Sequence, residues 1–115
     1  MSALIDLRDR LRSFAAERDW EQFHSPKNLA MALIVEAGEL VEHFQWLTEA
    51  ESQQPPPDTR AKIEEELADV LLYLIRLADR LGVDLEQAAR AKIERNAKKY
   101  PADKVRSSAK KYTEY

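Results

Sequence analysis

The chain predicts an all-α fold, a four-helix bundle-like arrangement, and three observations carry that expectation. Apolar residues recur at i, i+3 and i+4 along most of its 115 residues, and no stretch shows the strict alternation of a half-buried strand. Only two glycines are present, with 44% apolar and 34% charged residues, a balance that suits amphipathic helices better than a sheet. Capping residues and prolines stand where helices would begin and end.

Ser2 can cap a first helix whose Leu4, Leu7, Leu11 and Phe14 share one face, running to about Asp19. The segment Trp20-Glu-Gln-Phe-His24 breaks that period and reads as a loop. Ser25-Pro26 supplies an N-cap with proline at the first helical position, and the second helix runs from there to about Leu47. Gln53-Gln-Pro-Pro-Pro57 is linker-like, because proline forbids continuation of a helix. Asp58 or Thr59 opens a third helix that Leu81-Gly82 stops. Asp84, with Gln87 three residues on, has the pattern of a capping box for a fourth helix through about Lys99, which Pro101 ends. Residues 1–101 thus make one domain, followed by a tail, 102–115, with little periodicity.

Composition excludes several classes. No stretch approaches the roughly 20 apolar residues of a membrane span, so no membrane role is expected. Without cysteine, disulfides and thiolate metal sites are impossible, and a cytoplasmic setting fits. The net charge of −3 is uneven: residues 84–115 hold nine Lys/Arg against five Asp/Glu, and residues 1–83 hold nine against sixteen. An acidic chain has little non-specific affinity for a phosphate backbone, so no nucleic-acid partner is expected despite Lys98, Lys99, Lys104, Lys110 and Lys111.

Two acidic pairs carry the chemistry: Glu36-Ala-Gly-Glu39 and Glu66-Leu-Ala-Asp69. At i,i+3 both carboxylates of a pair leave one helix face, one turn apart. Each pair is set in an apolar run, Leu29 to Val35 before the first and Val70 to Ile75 after the second. Glu36, Glu39 and His43 form one stripe of the second helix, while Gly38, Glu42 and Gln45 form another on the opposite side. One helix seldom has two solvent faces divided by apolar residues, so one stripe should meet a pocket. Two carboxylates about 4 Å apart repel by about 4 kcal/mol at an effective dielectric near 20. Four converging carboxylates would cost a large share of a typical stability of roughly 5–15 kcal/mol. Oxygen-only donors suit Mg²⁺, with Mn²⁺ a substitute, and Mg²⁺ readily completes its shell with phosphate oxygens. The Glu-x-x-His motif of di-iron bundles is absent, since His43 follows Glu39 by four.

The third helix leaves a second reading open. From Glu66 onward its polar side chains are Glu66, Asp69, Tyr73, Arg76, Asp79 and Arg80, and all but Asp79 fall within an arc of roughly 80°. That arc could be a solvent face, with Arg76 and Arg80 on it. The chain would then be a non-catalytic helical interaction module whose acidic stripe docks a basic partner. The apolar remainder of the helix is wider than a single four-helix layer covers, which predicts a dimer or higher homo-oligomer.

The order Glu36-x-x-Glu39, twenty-six residues, then Glu66-x-x-Asp69 on a helical frame resembles the MazG-like all-α nucleoside triphosphate pyrophosphohydrolases, and within them the branch that acts on dCTP. The similarity extends to Phe14 through His24, Phe44-Gln-Trp46, Glu65 through Val70, Asn96 through Pro101, and Arg106 through Glu114. It implies a MazG-type fold assembled as a dimer or dimer of dimers. It also implies Mg²⁺-dependent hydrolysis of a deoxynucleoside triphosphate, dCTP or a 5-substituted dCTP, to the monophosphate and pyrophosphate, cleansing the nucleotide pool. Carried over by position, Glu36, Glu39, Glu66 and Asp69 are metal ligands, and Glu39 is the expected general base. Trp20 and Trp46 shape a base pocket with His24 nearby, and Tyr73, Lys92 and Asn96 contact sugar or phosphates. The residues themselves agree: Tyr73 follows Asp69 by four, and Lys92 and Asn96 share a face at i+4. A core role for Tyr73 and the tryptophans, and a solvated face for Lys92 and Asn96, remain the alternatives.

Overall fold

A computed structural model describes residues 2–107. Among these there is no strand, and the elements are α1 (Ala3–Glu17), α2 (Pro26–Glu42), α3 (Glu49–Gln53), α4 (Pro57–Arg80), α5 (Leu85–Lys99) and α6 (Ala102–Val105), with a 3₁₀ turn at Glu21–Phe23 between α1 and α2. The chain divides into two compact units, residues 1–83 and 84–115.

In the first unit, the caps form as expected. The Ser2 hydroxyl accepts from Leu4 N–H and Ser25 from Asn28 N–H, with Pro26 opening α2. Three boundaries differ. The second helix ends at Glu42, and residues 43–46 are turns, so the expected extension to Leu47 is corrected. The stretch expected as linker begins inside α3, a helix that Thr48 and Glu51 cap reciprocally: Thr48 Oγ1 accepts from Glu51 N–H, and Glu51 Oε1 accepts from Thr48 N–H. The helix α4 starts at Pro57 rather than Asp58 or Thr59, proline being well suited to a first turn whose N–H groups have no partner. It ends at Arg80 with Leu81 as its C-cap, and Gly82 takes φ +69, a left-handed conformation that glycine adopts without steric cost.

The frame is α4 packed along α2 and, less extensively, α1. Its core is small: Ala15, Leu29, Ile63, Ile75 and Ala78 are buried. Large apolar residues stay open on α2 (Met31, Ile34, Val35, Val41) and on α4 (Leu67, Leu71, Leu74). The apolar breadth of α4 foreseen from the wheel is therefore present, but within one chain part of it is uncovered. Across the top of this frame, Arg12 of α1 donates Nε–H to Oδ2 of Asp79 at 2.8 Å and reaches Oδ1 with Nη2.

The second unit holds α5, capped by Asp84, whose side chain accepts from Gln87 N–H. Pro101 follows α5 and precedes α6, so one turn of the expected tail is helical. The remainder, 108–115, lies outside the described residues.

Candidate metal centre and adjoining cavity

The helical spacing read from sequence delivers the acidic cluster. Glu36 and Glu39 sit one turn apart on α2, Glu66 lies on α4, and α2 and α4 pack side by side. One ligand atom from each of the three comes within 4.8 Å of the others. Asp69, one turn along α4, is exposed and lies outside that trio, though close enough for its charge to act on Glu36 and Glu66. His43, the next member of the α2 stripe, places Nε2 3.8 Å from Oε1 of Glu66.

Electrostatics at the cluster is unfavourable as it stands. Burial pushes the Glu36 carboxyl up to about 7, with Glu66, Glu39 and Asp69 adding to the rise. Glu66 is also raised, burial again the largest cause. One oxygen each of Glu36 and Glu66, Oε2 in both, is buried with no hydrogen-bond partner among the described residues. Buried polar atoms are normally satisfied. Two orphaned carboxylate oxygens beside a third carboxylate are what a hard cation would satisfy, and the all-oxygen donor set fits Mg²⁺ or Mn²⁺.

Along α4 from the cluster lies a cavity of about 150 Å³, lined by Phe14, Trp20, His24, Leu29, Tyr73 and Arg76, with Leu11, Ala15 and Leu72. Its aromatic wall is made by a sharp turn. Asp19 takes φ +52, a region asparagine and aspartate tolerate better than most residues, and Trp20 N–H returns to the Ala15 carbonyl at 2.9 Å. The Trp20 ring then meets Phe14 edge-on at 5.7 Å and His24 at 6.4 Å, while the Arg18 guanidinium lies 3.6 Å from the centre of the Phe14 ring.

Three of the residues singled out by sequence, Trp20, His24 and Tyr73, thus line one cavity. Trp46 does not: it stands 87% exposed in the turns after α2. Lys92 and Asn96 belong to the second unit, exposed on α5. The solvated-arc reading of α4 fails at Arg76, which is only 5% exposed. Its Nε–H donates to Nδ1 of His24 at 3.2 Å, and Nη1 lies 3.5 Å from Oδ2 of Asp79. Sequence reasoning did not place Arg76 at a site. The available signal was its setting, a single arginine directly after Leu71-Leu-Tyr-Leu-Ile75.

Residues 31–115 match the model of the MazG-like family. The chain is 53% identical to dCTP pyrophosphatase 1 of Homo sapiens and 52% identical to that of Mus musculus, in each case over 96% of this chain and 66% of the relative. It therefore spans just under two thirds of the length of these curated relatives. Its backbone superposes on the crystal structure of a pyrophosphatase from Archaeoglobus fulgidus with a TM-score of 0.82 at 38% identity, covering 88% of this chain and 94% of the other.

Proposed function

The chain belongs to the MazG-like family, and on that premise we propose that it hydrolyses a deoxynucleoside triphosphate, dCTP or a 5-substituted dCTP first, to the monophosphate and pyrophosphate. The observation that carries this reading is the pair of orphaned buried oxygens on Glu36 and Glu66 beside Glu39. The names of the curated relatives supply the substrate class.

Glu36, Glu39 and Glu66 would hold Mg²⁺, or Mn²⁺ in its place, with Asp69 proposed as a further ligand on the resemblance. A divalent cation there supplies neutralisation of triphosphate charge and activation of water. Glu39 would be the general base, taking the proton of the water that attacks the α-phosphorus. The α–β phosphoanhydride bond breaks in line, and pyrophosphate leaves. His43 beside Glu66 helps hold that carboxylate in place.

The base goes to the cavity. Its volume of about 150 Å³ is enough for the six-membered ring of a pyrimidine. Trp20 offers a stacking face, His24 a polar contact, and Tyr73, between cavity and carboxylates on α4, a hydroxyl for the sugar or phosphates. Lys92 and Asn96 are proposed as phosphate or sugar contacts on the resemblance and their shared face. The open apolar residues of α2 and α4, and the exposure of Trp46, support a homodimer or dimer of dimers in which Trp46 completes a base pocket. Residues 1–101 would act as one domain. No helix among the described residues is long and apolar enough to cross a membrane. A cytoplasmic role in cleansing the nucleotide pool accords with this reading.

The test is pyrophosphate release from a panel of dNTPs and NTPs, with Mg²⁺ or with EDTA, for the wild type and Glu36→Gln. Metal-dependent release that peaks with dCTP and vanishes in the variant is expected. No release from any nucleotide would sink the enzyme reading.

A further inference from the structure

We propose that Arg76 is a positioning residue that fixes the tautomer of His24, so that the ring presents its Nε2–H as a donor to an acceptor on the bound base. This rests on the nucleotide reading of the cavity given above. Arg76 carries only donors, and its Nε–H is directed at Nδ1 of His24 at 3.2 Å. Nδ1 must therefore hold a lone pair, and the single proton of the neutral ring sits on Nε2. A protonated ring would have a donor at both nitrogens and would set N–H against N–H.

Arg76 is well held for this role. It is 5% exposed, its Nη1 lies 3.5 Å from Oδ2 of Asp79, and Asp79 is itself gripped through both oxygens by Arg12. Arg12 on α1, Asp79 and Arg76 on α4, and His24 in the turn before α2 form one continuous strut. The Nη2 of Arg76 is buried without an acceptor among the described residues, so His24 is one of few groups that satisfy the guanidinium. The charges facing His24 act in the same direction. Burial, then Arg76 and Arg80 from α4, lower its tendency to protonate, against a lesser opposing pull from Glu21 in its own turn.

The consequence for recognition is chemical. His24 and Trp20 line one cavity, so a ring packed against the indole meets the imidazole edge. A neutral ring with Nε2–H accepts a base that offers an acceptor there, such as O2 or N3 of cytosine, and rejects one that offers an amine or ring N–H.

The deciding measurement is long-range ¹H–¹⁵N correlation on the full chain labelled with ¹⁵N-histidine near neutral pH. His24→Asn distinguishes His24 from His43, the two histidines of the sequence. The expected wild-type result is an unprotonated Nδ1 and a protonated Nε2 on His24. In Arg76→Met both tautomers appear, His24 protonates at higher pH, and KM for dCTP rises about tenfold with kcat little changed. Arg76→Lys, which keeps a cationic N–H donor, recovers most of these effects. A wild-type Nδ1 that carries the proton overturns the proposal whether or not any variant folds. So does an Arg76→Met protein with an unchanged tautomer, or one that loses kcat and thermal stability together with KM intact. If no nucleotide is hydrolysed, the enzyme reading falls and with it the base as ligand, while the spectrum still decides what Arg76 does to His24.

Discussion

Arg12 and Asp79, sixty-seven residues apart, meet in a two-pronged ion pair that ties α1 to the last turn of α4. The Asp79 side chain is 10% exposed, and the same carboxylate faces the buried Arg76. Removing it would leave a buried guanidinium with no counter-charge, so Asp79→Asn should lower Tm on the order of 10 °C. The hydrogen bonds from Arg12, more than the opposing effect of burial, hold Asp79 below the ordinary carboxylate range. Its contribution is therefore present above the unfolded value of 3.8 and is lost as pH falls through the lower folded value. Thermal melts of wild type and Asp79→Asn should converge in acid.

On the proposed reading, Glu36→Gln removes one metal ligand and one carboxylate of the cluster together. Pyrophosphate release should fall about a hundredfold or more, since cation-based charge stabilisation contributes several kcal/mol to such barriers. In EDTA the variant should melt no lower than the wild type, because like-charge repulsion at the cluster is relieved. A large loss of stability in EDTA would mean that Glu36 is a structural partner and not a ligand.

Glu36 also sets a pH dependence. With a folded value near 7 against 4.5 unfolded, the folded protein binds the extra proton between those values. Stability of the metal-free protein from this group is greatest at the acid end of that window and declines as pH rises through 7. Mg²⁺ must displace that proton, so its affinity should climb over the same range. Melting curves with EDTA and with Mg²⁺ at several pH values should separate progressively, with the larger shift at alkaline pH.

Trp20→Ala should raise KM for dCTP about tenfold or more while leaving Mg²⁺ affinity unchanged. Base–aromatic stacking contributes roughly 1–3 kcal/mol per base, and no metal-site carboxylate lies on the Trp20 turn. Comparing dCTP with dATP would show whether discrimination against the larger base weakens as the cavity opens.

Leu29 is 2% exposed and lines the cavity from α2. Leu29→Ala should cost about 3 kcal/mol, measured by urea unfolding, through lost burial and the void left behind. Leu29→Met, close in volume, should cost less than about 1.5 kcal/mol.

Sequence spacing was enough to find the cluster, since i,i+3 carboxylates in apolar runs are local and the helices that carry them are strongly periodic. The caps at Ser2, Ser25 and Asp84 and the stop at Gly82 were legible for the same reason. The α3 helix goes unread although Thr48-x-x-Glu51 is a capping-box pattern, because it is only five residues long and shows no apolar periodicity before the prolines. The end of α2 was set too late, since the turns from His43 to Trp46 keep an apolar rhythm without helical geometry. Arg76 was out of reach for a different reason. Its partner outside α4 is His24, fifty-two residues away, and a contact at that separation leaves no periodic trace. Wheel geometry alone puts Arg76 on an arc that could equally face solvent.

The turn that begins at Asp19 has an evolutionary consequence. Most of the proposed base-sensing wall, Trp20 and His24, hangs on a few residues between two helices, while the carboxylates are anchored on α2 and α4. On the proposed reading, substitutions in that turn would retune which nucleotide is accepted while the carboxylates on α2 and α4 stay where they are. Preference can thus drift among descendants of one ancestral hydrolase faster than the reaction does. Orthologues that share every acidic position here need not share a substrate.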